Sequence, residues 1–208
     1  MKILICDDHK IVRDGLKQLL LQLKGVAIIK DAGNGDEAIS LLKVETFDIV
    51  ILDISLPGRS GLEILQTIKI KWPSTNVLML SMHPQEQYAI RALKLGASGY
   101  LTKETASEEL LVAVQKVSEG GRYISHSLAE DLALHLASDK YHQKHDVLSA
   151  REFEIMIKLA KGKSLQEIGD EISVSIKTVS TYRTRILEKM ELSKNTDFTR
   201  YCFENKLI

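Results

Sequence analysis

The chain has 208 residues, 44% hydrophobic and 27% charged, with no formal net charge, which allows one large domain or two small ones, each with a real core. Splitting it near residue 137 leaves about −2 before and about +2 after, an asymmetry too weak to point to nucleic acid by itself. The apolar run in MKILICDDHK is too short for a signal peptide, no segment approaches the roughly 18 apolar residues that span a membrane, and the two cysteines form neither a CxxC nor a metal-ligand spacing; the expectation is a cytoplasmic protein with no membrane partner.

Short apolar runs alternate with longer amphipathic ones over the first 120 residues. Ile3 to Cys6, Val26 to Ile29, Ile49 to Leu52, Val77 to Leu80 and Gly99 to Leu101 read as strands, and continuous apolar runs of this length suit strands buried on both faces. Between and after them lie helical patterns over Ile11 to Leu23, Asp36 to Val44, Leu62 to Lys71, Gln85 to Leu95 and Glu108 to Val117. Gly96 stands where the fourth helix needs a left-handed cap. Such alternation predicts an α/β fold, a doubly wound five-stranded parallel sheet. Gly120-Gly121 ends the fifth helix. Residues 121–146 read as a linker holding one short helix over Ser127 to Ala137. From 147 to 208 the pattern is purely helical, which predicts a second, small all-α domain.

In open parallel sheets ligands bind beyond the carboxyl ends of the strands. Asp7 and Asp8 follow the first strand, Asp53 the third, Ser81 ends the fourth, and Thr102-Lys103 follow the fifth. Three carboxylates brought together repel unless a cation joins them, and oxygen ligands with waters suit Mg²⁺. A carboxylate beside Mg²⁺ and a lysine can accept a phosphoryl group as an acyl phosphate, and Ser81 can hydrogen-bond a phosphoryl oxygen. Each piece alone has a plainer reading: Asp-Asp after a strand is often a helix cap, a lone lysine a solvated charge, a serine local capping. Their joint placement at different strand ends is what carries the site.

Residues 1–120 resemble the receiver domain of two-component signalling, through Asp7-Asp8, Asp53 in ILDISLPGRSGLE, Ser81, and Lys103 in GASGYLTK. The resemblance implies strand order 2-1-3-4-5 and Asp53 as phosphoacceptor. It implies a Mg²⁺ site of Asp7, Asp8, Asp53 and the Ser55 main-chain carbonyl. Lys103 would pair with the phosphoryl group, Ser81 would be the switch hydroxyl, and Tyr100 the aromatic that moves with it. One departure is Glu104 where many receivers have a cis-proline, so a trans bond is expected. Ser55 and His83, each two residues beyond a site residue, are candidates to influence the phosphate's lifetime. Lys10, Ile11 and Gly15, on the first helix, mark a candidate kinase-docking surface. An aspartyl-phosphate hydrolase is the rival chemistry, but it needs a general acid two residues after the nucleophile, where this chain has Ser55. A third reading keeps the receiver only as a protein-interaction platform, which the intact acidic set disfavours.

Ser149 with Glu152 and Ser164 with Glu167 are capping-box patterns, Ser175 caps a third start, and Gly162 suits a helix end. Two short helices, a tight turn at Ser173-Val174 and a longer helix form the helix-turn-helix plan. Phe153, Met156, Leu159, Ala160, Leu165, Ile168, Ile172 and Val174 supply its expected core. On the third helix, about Ile176 to Glu191, Val179, Tyr182, Ile186 and Met190 share one face. Lys177, Ser180, Thr181, Thr184 and Glu188 lie opposite, with Arg183 and Arg185 flanking and Thr178 near the start. Short polar groups flanked by cations suit the major groove of double-stranded DNA.

LSAREFEIMIKLAKGKSLQEIGDEISVSIKTVSTYRTRILEKMEL resembles the LuxR-type DNA-binding domain, and the whole chain resembles the NarL/FixJ class of response regulators. That resemblance implies a non-enzymatic transcription factor controlled through Asp53 by a sensor histidine kinase. It further implies a homodimer when phosphorylated or DNA-bound, with RNA polymerase as another candidate partner. The last helix, about Thr196 to Asn205, would supply a dimer contact; its apolar stripe of Phe198, Tyr201 and Cys202 either serves that contact or packs on its own domain.

Overall fold

Five strands, β1 (Lys2–Cys6), β2 (Ile28–Ala32), β3 (Ile49–Asp53), β4 (Asn76–Ser81) and β5 (Gly99–Thr102), form one parallel sheet in the order β2-β1-β3-β4-β5. The structure is a computed structural model and describes residues 1–82, 85–125, 128–130, 143–205 and 207–208, without the side chains of 85–87. It divides into two units, Met1–Glu130 and Asp131–Ile208.

The strand order and the parallel sheet follow the expectation from sequence; the position of β2 does not. Apolar residues placed it at 26–29, whereas it runs Ile28–Ala32 and includes Lys30 and Asp31. As an edge strand it keeps polar side chains in reach of solvent. Asp31 takes Arg13 Nε at 2.9 Å and Lys17 Nζ at 2.6 Å. These partners hold its carboxyl below the ordinary carboxylate range, Lys17 most strongly.

The inner strands β1, β3 and β4 are almost wholly buried. Alternate residues point to opposite faces. Ile3, Ile5, Ile49, Ile51, Leu78 and Leu80 pack with α1 (Lys10–Leu20) and α5 (Ala106–Ser118). The other face takes α2 (Gly35–Val44), α3 (Gly61–Lys71) and α4 (Gln85–Lys94). Helix α1 stops three residues short of the expected Leu23. Gly96 caps α4 with φ +96°, and the Lys103–Glu104 bond is trans. Gly61 opens α3 beneath the end of β3, its N–H donating to Ile54 O at 2.8 Å. A Cβ there would lie 2.0 Å from Asp53 O, so the position excludes any side chain.

In the second unit α6 (Ala150–Ala160), α7 (Leu165–Glu171), α8 (Ile176–Met190) and α9 (Asn195–Glu204) follow a 3-10 turn at Lys144–Val147. Both capping boxes form, Ser175 accepts from the Thr178 N–H, and Gly162 has φ +83°. Of the expected core, Leu165 and Val174 are only half-buried. The α7–α8 turn is tight because Gly169 has no side chain: a Cβ would stand 2.8 Å from Val174 O. The end of the expected linker folds with this unit. His145 is buried, with Nδ1 2.9 Å from the Tyr201 hydroxyl. The expected helix over 127–137 lies almost entirely outside the described residues.

Phe198 and Cys202 are fully buried, and Thr199 Oγ1 donates to Ala160 O at 3.1 Å. The apolar stripe of α9 therefore packs on α6 instead of facing a second chain. Burial pushes the Cys202 thiol up to about 12.

Candidate functional site

Parallel pairing carries the ends of β1, β3, β4 and β5 to one edge. Asp53 pairs with Leu80, Ser81 with Thr102, and the Lys103 N–H donates to Ser81 O at 2.7 Å. Asp7, Asp53 and Ser81 are buried there. Lys103 Nζ lies 2.8 Å from Asp53 Oδ2 and 2.7 Å from Asp7 Oδ2. The first contact is a hydrogen bond; the second is an ion pair, and Asp7 Oδ2 is a buried oxygen that accepts no geometrically formed hydrogen bond.

The rest of the chain holds the two aspartates in place. The Ser55 N–H donates to Asp53 Oδ1 at 3.2 Å. The His9 N–H donates to Asp7 Oδ1 at 2.8 Å, and Arg13 holds Asp7 O at 2.7 Å. Sequence reading missed both His9 and Arg13. His9 Nδ1 stands 2.8 Å from Asp8 Oδ1.

One ammonium does not balance these carboxylates. Burial drives the Asp53 carboxyl above its ordinary value; Lys103 opposes the rise and Asp7 adds to it. Burial works against the Lys103 charge, but Asp53 and Asp7 outweigh it and hold the ammonium above its usual pKa. Asp7, Asp8, His9 and Asp53 each offer a ligand atom, all within 4.8 Å of one another. Excess buried negative charge and an oxygen-rich donor set with an unbonded oxygen suit a divalent metal ion. Cys6, just before them, is no rival nucleophile. Burial raises its thiol far above its usual pKa, and Asp53 and Asp7 raise it further.

Ser81 and Tyr100 share a side-chain hydrogen bond inside the core. Burial lifts the Tyr100 phenol well above its ordinary value. His83 lies outside the described residues.

On α8, Val179, Ile186 and Met190 are buried, and Tyr182 is half-buried. Lys177, Thr178, Thr181, Thr184 and Arg185 are exposed together, and Ser180 is half-buried. Arg183 does not join them. It is half-buried, its Nε donating to Asn195 Oδ1 of α9 at 2.5 Å. Ser175, Lys177, Thr178, Thr181, Tyr182 and Arg185 line a depression of about 340 Å³. Sequence reading also missed a buried pair, Arg151 Nη1 to Glu154 Oε2 at 2.8 Å. Arg151 Nη2 also donates to Ile172 O at 3.0 Å, tying α6 to the end of α7.

Two family models match the chain. The response regulator receiver domain covers residues 3–115, and the bacterial regulatory proteins of the luxR family cover residues 146–202. The chain is a response regulator. This response regulator is 31% identical over 208 residues to the response regulator UvrY of Escherichia coli, covering all of this chain and 95% of that one. It is 33% identical to the response regulator GacA of Pseudomonas aeruginosa, covering all of this chain and 98% of that one. These relatives place it in the NarL/FixJ class. Among solved structures it resembles RcsB of Salmonella enterica serovar Typhimurium bound to the promoter rprA with the phosphomimetic BeF3−. There the TM-score is 0.65 at 25% identity, over 97% of this chain and 98% of that one. As a response regulator with a receiver and a LuxR-type DNA-binding domain, it is a transcription factor. Among the described residues no helix is long and apolar enough to cross a membrane.

Proposed function

We propose that Asp53 accepts a phosphoryl group from a sensor histidine kinase and that this modification controls binding of α8 to double-stranded DNA. One observation carries the reading. Two buried carboxylates, Asp7 and Asp53, share a single ammonium at 2.7 and 2.8 Å at the carboxyl edge of the sheet. In the transfer a carboxylate oxygen of Asp53 forms the new O–P bond, the P–N bond of the kinase phosphohistidine breaks, and its imidazole leaves. Asp7, Asp8, Asp53 and the Ser55 carbonyl would hold Mg²⁺, which when bound would supply positive charge against the transferring oxygens. Lys103 exchanges part of its contact with Asp53 for a phosphoryl oxygen. Ser81 turns from Tyr100 to another. Ser55, with no acid to offer at the position a hydrolase needs, favours a persistent phosphate over enzymatic turnover.

Ile11, 87% exposed on α1, fits a kinase-facing surface beside Lys10 and Gly15. Phe203, 75% exposed on α9, replaces the buried stripe as a contact for a homodimer, which presents two readers to paired half-sites. The setting is the cytoplasm, with RNA polymerase the partner met at a promoter. Lys177, Thr178 and Arg185 meet phosphates or base edges, and Ser180, Thr181 and Thr184 meet base edges. Arg183 joins only by releasing Asn195.

Selection of bound duplexes from a random pool, with and without beryllofluoride on the receiver, tests the reading. A common motif enriched more strongly with beryllofluoride is expected; equal or absent enrichment contradicts it. On the selected site, Arg185→Ala is expected to weaken binding and to lower the slope of log K against log salt by about 0.9, one phosphate's worth. An unchanged slope would remove Arg185 from the phosphate contacts.

A further inference from the structure

Thr181 and Thr184 sit at the centre of the exposed face of α8, and both hydroxyls are already committed. Thr181 Oγ1 donates to Lys177 O at 2.9 Å, and Thr184 Oγ1 donates to Ser180 O at 3.2 Å. A hydroxyl has one proton and two lone pairs. With the proton spent inside the helix, each side chain presents outward only acceptor lone pairs and a methyl group. Donating to a base instead would cost an intrahelical hydrogen bond.

The major groove offers one base pair that answers both features. An A·T pair displays the adenine N6 amino donor, between the adenine N7 and thymine O4 acceptors, and the thymine C5-methyl at its edge. A G·C pair also displays one amino donor, that of cytosine, and two acceptors, guanine O6 and N7, but has no methyl. Either amino group can meet a threonine lone pair, so the thymine methyl, packed against a threonine methyl, is what distinguishes A·T from G·C.

The neighbours sharpen the match. Lys177 and Arg185 stand one turn either side of Thr181, and both are donors only, suited to guanine or phosphate. Glu188 lies one turn beyond Thr184 and is exposed. Its negative charge opposes the phosphate backbone and confines close contact to the first turns of α8, where recognition helices meet base edges.

We propose that Thr181 and Thr184 are specificity-determining residues that select A·T pairs at the core of each half-site. The proposal rests on α8 being the helix that enters the major groove.

The test uses the full chain carrying beryllofluoride and the duplex selected from a random pool. A·T pairs are expected at the core positions. Replacing a core thymine by uracil, which deletes only the C5-methyl, should weaken binding about fourfold, the loss expected for one buried methyl. Thr181→Ser and Thr184→Ser keep the hydroxyl but remove the methyl. Each should reduce the preference for A·T over G·C at its own position, with thermal melting confirming that the variant is folded. The uracil arm needs no altered protein. A selected motif with G·C at the core, or uracil and serine arms without effect, overturns the threonine assignment while leaving α8 as the reader. Absence of any selected motif overturns that reading as well.

Discussion

Asp53→Asn is expected to take up no phosphate from an acyl-phosphate donor and yet to melt at a higher temperature than the wild-type chain in metal-free buffer. The first half follows from the proposed role: an amide is a poor nucleophile, and no other described carboxylate is both buried at the strand edge and hydrogen-bonded to Lys103. The second half follows from the charge balance. The folded carboxyl of Asp53 has its pKa raised, chiefly by burial. A raised acid binds more protons folded than unfolded, so its contribution to stability falls as pH rises from the ordinary carboxylate value through the folded one. Once ionised, the buried Asp53 carboxylate is thus a net cost, and asparagine removes the charge without leaving a cavity. Lys103 has the opposite sign. Its pKa is raised above 10.5 by Asp53 and Asp7, so its contribution is complete below that value and lost as pH climbs through the folded pKa. Asp7 still pairs with it in the variant. Adding Mg²⁺ should reverse the order of melting temperatures, because only wild type keeps the full ligand set and binding to the native state stabilises it. Phosphate uptake by Asp53→Asn, or a lower melting temperature without metal, would count against this account of the site.

Gly61→Ala should lose about 3 kcal/mol or more of stability, at the upper end of what overpacking costs. The added Cβ would meet Asp53 O at 2.0 Å and the Ile54 Cα at 2.8 Å. Both are backbone atoms and cannot turn aside as a flexible side chain would. The same displacement would move the phosphoacceptor, so phosphotransfer should fall together with stability. Gly15→Ala is the contrast. Nothing lies within 4 Å of a Cβ there, in the middle of α1, and alanine should stabilise by about 0.4–1 kcal/mol. Chemical denaturation of the two variants side by side decides the matter; similar stabilities would mean that the close approach at Gly61 is relieved cheaply.

The site was legible where sheet topology does the work. In a parallel sheet the residue after each buried apolar run lands on one edge, so Asp7, Asp53, Ser81 and Lys103 could be read together before any coordinates. The edge strand β2 was misplaced because it needs only one apolar face, and its Lys30 and Asp31 look like loop. His9 and Arg13 were missed since their contacts are with main chain and with partners set by the fold. Arg151 and Glu154 read as ordinary surface charges three residues apart; only the packing of α7 shows that they are buried. The stripe of Phe198 and Cys202 is the converse case. An amphipathic helix reveals that one face is covered, but not whether its own domain or another chain covers it. Arg183 likewise sits beside the polar face of α8 by helical geometry, and Asn195, arriving from α9, draws it away.

The central claim is that phosphate on Asp53 strengthens DNA binding. It is tested most directly by titrating the selected duplex with the full chain at fixed salt, with and without beryllofluoride, for wild type and Asp53→Asn. Wild type should bind about five- to 150-fold more tightly when beryllofluoride is present, the usual span of such couplings, and Asp53→Asn should not respond. Equal wild-type affinity in the two conditions would contradict the claim.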